Sequence, residues 1–235
     1  AGSRYFGLCY TGKSLGSAAR LIEERQGAHP TPERRKSNYD FNGKNSRCGF
    51  RIAGRCVSDD NDSCKKMSTP QTELYLKAEN LQLTGSFKLR GAYYKISKLS
   101  EEEKKNGIIA CSAGNHAQGV ALAAQRRGIP CVICMPEGSP LSKVEATRSY
   151  GAEVCLVKGV YDDAAARAVE LQQRYGYTFI HPFNDEDVIA GQGTIGLEIL
   201  DQIPDVDVVI VPIGGGGLIS GVAFAIKELN PNVKV

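Results

Sequence analysis

From Leu74 onward the chain alternates short apolar runs with longer amphipathic stretches, the mark of a parallel sheet whose strands are joined by crossover helices. The pattern predicts strands near 74–77, 108–112, 131–135, 154–157, 178–180 and 207–213. It predicts helices near 87–98, 116–127, 141–150, 162–176, 192–202 and 218–229. Gly128, Gly151 and Gly176 fall where helices should end, and Asp162 is placed to cap the helix Asp163 to Tyr175. The run Val208 to Ile213 reads as a strand buried on both faces. Residues 1–72 differ. Apart from Ser17 to Gln26, which fits a short helix, they show no sustained period of 2 or 3.6.

The 235 residues suffice for one large domain or two smaller ones. With 42% hydrophobic and 23% charged residues, the composition is that of a globular chain rather than a disordered or fibrous one. No apolar run approaches the roughly 20 residues that span a bilayer, and no signal-peptide pattern opens the sequence. The expectation is a cytoplasmic protein with no membrane partner. The net charge of +3 divides unevenly, with 13 Lys and Arg against 7 Asp and Glu over residues 1–72 and 16 against 19 over 73–235. The regularly patterned portion is therefore mildly acidic and offers no footing for nucleic acid.

Cys111, Cys131, Cys134 and Cys155 lie in apolar, strand-like runs. Cys131 and Cys134 have C-x-x-C spacing, but on a strand residues i and i+3 point to opposite faces and their sulfurs diverge. Buried thiols in a reducing cytosol are expected, not a metal site. Cys9, Cys48, Cys56 and Cys64 lack metal-ligand spacing.

The stretch Thr84-Gly85-Ser86-Phe87-Lys88-Leu89-Arg90-Gly91-Ala92 sets a lysine between glycines at a predicted helix start. Alone, such a lysine is most often solvated. Partly desolvated, it loses its proton readily and attacks carbonyls. Two strand-end loops shift the balance, because ligands in such folds bind beyond the carboxyl ends of strands. Ser112-Ala113-Gly114-Asn115-His116-Ala117 brings backbone N–H groups to a helix start, ready for a carboxylate or phosphate. Asn115 adds a directed side-chain hydrogen bond, and His116 suits capping or packing better than catalysis. Gly214-Gly215-Gly216-Gly217 follows the run Val208 to Ile213 and reads as a phosphate cradle, since no side chain blocks the backbone donors. Gly7 to Ser14 also matches G-x-x-x-x-G-K-[ST]. No strand precedes it, so the match is read as chance. A nucleophilic lysine, an Asn-bearing anion loop and a glycine cradle together point to pyridoxal 5'-phosphate.

In combination, LYLKAEN, TGSFKLRGA, SAGNHAQGVA, HPFNDEDVIAGQGTIGLEIL and VVIVPIGGGGLISG resemble the threonine ammonia-lyase (threonine dehydratase) group of fold-type II pyridoxal-phosphate enzymes. The resemblance covers about residues 73–235. It implies the α/β, tryptophan synthase beta-like fold, with parallel-sheet domains and crossover helices. By this resemblance Lys88 is the Schiff-base lysine and the catalytic residue, and Phe87 packs against the cofactor ring. Asn115 bonds the ring hydroxyl, and Gly214, Gly215, Gly216 and Gly217 bind the phosphate. Ser112, Ala113, Gly114, Asn115 and His116 surround the substrate carboxylate, and Gln192-Gly193-Thr194 lies on a helix near the cleft. The implied reaction is deamination of a small amino acid, L-threonine or L-serine, in isoleucine biosynthesis or threonine catabolism.

The alternatives are a serine racemase or another enzyme of the same fold type, and an inactive fragment. The racemase places a serine where this chain has Ala113, which has no proton to give. The implied division puts 73–106 and 185–235 in a large cofactor-anchoring domain and 107–184 in a small one, with 1–72 unassigned. The resemblance also implies further chain beyond Val235, so the sequence reads as truncated, and a homo-oligomer is expected at full length.

Overall fold

The computed structural model describes residues 56–57 and 74–235, so the match at Gly7 to Ser14 and the expected helix at Ser17 to Gln26 lie outside the described residues. Cys56–Val57 (β1) and Leu76–Lys77 (β2) pair antiparallel with each other, which shortens the strand expected at 74–77 and sets it apart from the parallel sheet. A short 3-10 turn, Glu79–Leu81, leads toward Lys88–Ser97 (α1).

Glu101–Asn106 (α2) has no apolar residue to give it a period, and periodicity alone overlooks it. Its signal is a capping box. Ser100 Oγ accepts from Glu103 N at 3.2 Å, and the Glu103 carboxylate accepts from Ser100 N at 2.8 Å.

The parallel sheet begins with Ile108–Cys111 (β3), crosses through Asn115–Arg127 (α3) to Cys131–Pro136 (β4), and continues through Leu141–Ser149 (α4) to Glu153–Val157 (β5). Tyr161–Tyr175 (α5) then returns the chain to Thr178–Phe179 (β6), giving the strand order β5-β4-β3-β6 with every pairing parallel. Alternate residues divide between two cores, as a pleated strand requires. Ile108, Ala110, Cys131, Ile133 and Met135 join the cluster that holds α1 and α3, while Ile109, Cys111, Val132 and Cys134 pack against Ala164, Ala168 and Leu171 of α5. Cys131 and Cys134 thus occupy opposite faces as their spacing predicts, and burial pushes both thiols up to about 12.

Gly128 and Gly176 end α3 and α5 in the left-handed conformation, while α4 ends at Tyr150 with Gly151 just beyond. Capping of α5 falls to Asp163, one residue past the expected Asp162. Its carboxylate accepts from Val160 N at 2.8 Å because the helix starts at Tyr161.

Glu186–Gln202 (α6) starts six residues before the expected 192. Asp185 Oδ1 takes the N–H groups of Asp187 and Val188, both at 3.0 Å, and so supplies the cap. Helix α6 packs against α1 and against Gly217–Leu229 (α7). The run 207–213 departs from expectation. It forms one parallel bridge, Val208 with Lys234, and is no strand buried on both faces. Val209 packs into the core with Val222 and Ile226, but Ile210 is 87% and Ile213 73% exposed. Among the described residues the run has only this single-residue partner, which leaves Ile210 and Ile213 uncovered.

The α1–α6 crossing is close enough to exclude a methyl group. A Cβ on Gly191 would lie 2.6 Å from Gly91 Cα and 2.7 Å from Arg90 O, both backbone atoms that cannot swing aside. Gly191→Ala is therefore expected to lose about 1–3 kcal/mol of stability by overpacking. Gly138→Ala, where an added Cβ meets nothing within 4 Å, should stay within about 0.5 kcal/mol of the parent. Denaturant melts of the two variants check the contrast.

Candidate active site

Lys88 opens α1, and its setting explains why its amine is unusual. Burial of the side chain pushes the ammonium below the ordinary lysine value of 10.5. Nζ donates to Pro182 O at 2.5 Å and lies 5.4 Å from the Phe87 ring centroid and 5.9 Å from that of Phe183. The backbone is pinned as well. A Cβ on Gly119 of α3 would sit 3.0 Å from Lys88 C and from Leu89 N.

Two residues on, Arg90 is 1% exposed, and each of its five N–H groups has a partner. Nε and Nη2 reach Glu79 at 2.8 and 2.9 Å, Nη1 and Nη2 reach Glu198 at 2.7 and 2.8 Å, and Nη1 also meets Thr194 Oγ1 at 3.0 Å. Burial works against the guanidinium charge, but the hydrogen bonds and charges of Glu198 and Glu79 outweigh it and hold the pKa above its ordinary value. Gln192 Oε1, almost wholly buried, accepts from Gly91 N at 3.2 Å. Gln192 and Thr194 thus act as ties between α6 and the lysine helix.

A cavity of about 290 Å³ opens beside Lys88, walled by Phe87, Phe183, Pro212 and the run from Gly214 to Leu218. Four glycines turn the chain into α7, with Gly216 at a φ of +87° that disfavours any side chain. The first N–H groups of α7 have no intrahelical partners, so an anion-binding helix start forms one wall of the cavity. A Cβ on Gly215 would lie 2.5 Å from the Phe183 ring, and one on Gly217 would lie 2.8 Å from Phe183 O. Only a bare backbone lies this close to Phe183. An amine held below its ordinary pKa and an anion cradle in one cavity fit an aldehyde that carries a phosphate.

The structure therefore unites Lys88, Phe87 and Gly214 to Gly217, while none of Ser112, Ala113, Gly114, Asn115 and His116 lines the cavity. Ser112 Oγ accepts from Gly114 N at 3.2 Å, and Asn115 is exposed at the start of α3. His116 is 3% exposed, and its Nε2–H donates to Ile180 O at 2.8 Å. Its Nδ1 is buried with no hydrogen-bond partner among the described residues. Desolvation dominates and lowers its pKa to about 4, with Lys88 and His181 adding repulsion, so the ring is neutral and packed.

Pro182 and Phe183 touch the lysine and the glycine loop, yet the site residues expected from the sequence do not include them. They follow β6, and so stand in the same strand-end position that marked the other two loops.

A family model described as pyridoxal-phosphate dependent enzyme matches residues 63–235. The chain belongs to this family. It is 64% identical over 163 residues to the L-threonine ammonia-lyase of Thermotoga maritima, an overlap of 69% of this chain and 41% of that protein. Among solved structures, threonine deaminase isoform 2 of Solanum lycopersicum superposes with a TM-score of 0.68 at 49% identity, over 69% of this chain and 48% of that one. Maize serine racemase gives 0.67 at 44% identity, over 68% and 49%. The chain spans about half, or less, of the length of these relatives. The likeness confirms the fold-type II architecture read from the motifs.

His116 gives the stability of the fold a pH dependence. With its pKa lowered from 6.5 to about 4 on folding, its neutral form contributes stability that is complete above 6.5 and is lost as the pH falls toward 4. The gap of 6.5 − 4 = 2.5 units corresponds to a loss on the order of 3 kcal/mol. Unfolding free energies measured from pH 7 to 4 should fall accordingly, and His116→Phe should flatten that slope.

Proposed function

We propose that the protein deaminates L-threonine, and L-serine as a second substrate, to 2-oxobutanoate or pyruvate and ammonia. The observation that carries this reading is the Lys88 amine facing the tetraglycine cradle across one cavity. The relative named L-threonine ammonia-lyase, 64% identical over the matched region, supports the choice of substrate. Pyridoxal 5'-phosphate, when bound, supplies the electron sink for a carbanion at the substrate Cα.

The chain's own residues do the rest. Lys88, its pKa lowered by burial, takes the Cα proton as the base, and the ammonium so formed hands a proton to the β-hydroxyl, which leaves as water. Pro182 O accepts a hydrogen bond from that ammonium between the two transfers. Gly214 to Gly217 hold the phosphate on the N–H groups of α7, and the rings of Phe87 and Phe183 keep water from the reacting face. The loop into α3, from Ser112 to His116, is assigned to the substrate carboxylate and Asn115 to the cofactor ring hydroxyl, because N–H groups at a helix start and an amide suit those acceptors. The large and small domains at 73–106 with 185–235 and at 107–184, a homo-oligomeric state and a cytoplasmic location with reduced thiols belong to the same reading.

Maize serine racemase is one neighbour that favours a second activity on the same cofactor. Racemisation needs an acid on the opposite face of the substrate, and the Ala113 methyl group is none. Ala113→Ser should raise D-serine formation relative to elimination, as chiral chromatography of the products would show.

Borohydride reduction after incubation with pyridoxal 5'-phosphate should place the label on Lys88 in a peptide map. Label on Lys77 or Lys95 would refute the assignment. Gly215→Asp sets a carboxylate where the phosphate dianion belongs, and equilibrium titration should find cofactor affinity lower by at least tenfold, about 1.4 kcal/mol.

A further inference from the structure

The link between β6 and α6 is held at both ends. Ile180 N donates to Ile109 O at 2.9 Å, and Ile180 O accepts from His116. At the far end Asp185 caps α6 and pairs with Lys95 at 3.0 Å. Between these points runs the turn from His181 to Asn184. Within it His181 Nδ1 accepts the backbone N–H groups of Phe183 at 3.3 Å and Asn184 at 2.7 Å.

The imidazole here does the work of an Asp or Asn side chain, taking the amides two and three residues on. Both partners can only donate, so Nδ1 is the bare nitrogen and the proton of the neutral ring sits on Nε2. The turn so fixed aims its carbonyl and its ring at the site. Pro182 O meets Lys88 Nζ at 2.5 Å. The Phe183 ring stands edge-on to His181, with 4.8 Å between centroids, and leans on Gly215.

We infer that His181 is a positioning residue whose bare Nδ1 holds the 181–184 turn, so that Pro182 O receives the Lys88 amine and Phe183 bounds the glycine cradle. The inference rests on the reading of Lys88 and the glycine loop as the cofactor site. Two charged groups act on the imidazole, and a second histidine lies near it. The carboxylate of Asp185 favours its protonation, Lys88 opposes it, and His116 is itself held neutral. Desolvation is the largest influence and keeps His181 below its ordinary pKa, so the acceptor form prevails at neutral pH.

The test compares wild type, His181→Leu and His181→Asn in the full-length protein. The rate of covalent attachment of pyridoxal 5'-phosphate is followed by the absorbance of the lysine–cofactor bond. Leucine removes the acceptor, whereas asparagine returns one for the same two amides. His181→Leu should slow attachment at least tenfold, about 1.4 kcal/mol, and His181→Asn should recover most of the rate. Equal rates in all three proteins, or equal slowing in both variants, would overturn the inference.

Hydrogen exchange at the Phe183 and Asn184 amides of the wild type gives an arm that needs no substitution and survives a misfolded variant. Protection at neutral pH that fades on acidification supports the inference, and absence of protection at neutral pH overturns it. Should the wild type take up no pyridoxal 5'-phosphate, the cofactor reading falls, and the exchange arm alone still decides whether His181 holds the turn.

Discussion

Arg90 carries a full positive charge into the interior, and two carboxylates from separate elements have to follow it there. An unpaired buried guanidinium would cost several kcal/mol, so Glu79 from the 3-10 turn and Glu198 from α6 are fixed in place by charge as well as by packing. Glu198 also draws in Lys77 of β2 at 2.7 Å. The first turn of α1 is thereby bound to the 3-10 turn and to α6, and through Glu198 to β2, while the Gly91–Gly191 contact sets how near α6 can come. Lys88 inherits its position from this arrangement.

Given a fixed lysine, the chemistry depends on what surrounds its amine. The surroundings come from two connections that converge from different parts of the chain. One is the glycine run into α7, which brings unpartnered N–H groups. The other is the link from β6 to α6, which brings the Pro182 carbonyl and the Phe183 ring. A partly buried amine keeps only the Pro182 carbonyl and the faces of Phe87 and Phe183 in place of the water it has lost, and the loss of water prevails over them. The same partial burial that lowers its pKa sets the glycine turn in surroundings less polar than water, where its N–H groups act more strongly.

The sequence made legible whatever rests on local repetition or on a side chain that has to be absent. The four parallel strands, the helices α1, α3, α4, α5 and α7, the diverging Cys131 and Cys134 and the bare glycine turn into α7 all follow from period, alternation or bare backbone. Long-range polar pairing was not legible. Nothing local in Arg90 announces Glu79 and Glu198, which lie 11 and 108 residues away. Periodicity placed the start of α6 too late, because Gly191 and Gly193 interrupt its apolar stripe while the true signal is the cap at Asp185. The run 207–213 misled for the opposite reason. Its apolar residues look like a core strand, but burial depends on a neighbour that sequence pattern alone cannot supply. Pro182 and Phe183 went unassigned because a proline and a phenylalanine after a short strand look like ordinary loop packing until the lysine is seen against them.

The fold presents Lys88 as a partly desolvated amine. The most direct test is a titration of that amine in the cofactor-free protein, by competitive acetylation across a pH series with Lys88 quantified in its own peptide. The midpoint should lie below the ordinary 10.5. A midpoint at or above 10.5 would mean that burial does not reach the amine and that Lys88 is an ordinary solvated lysine.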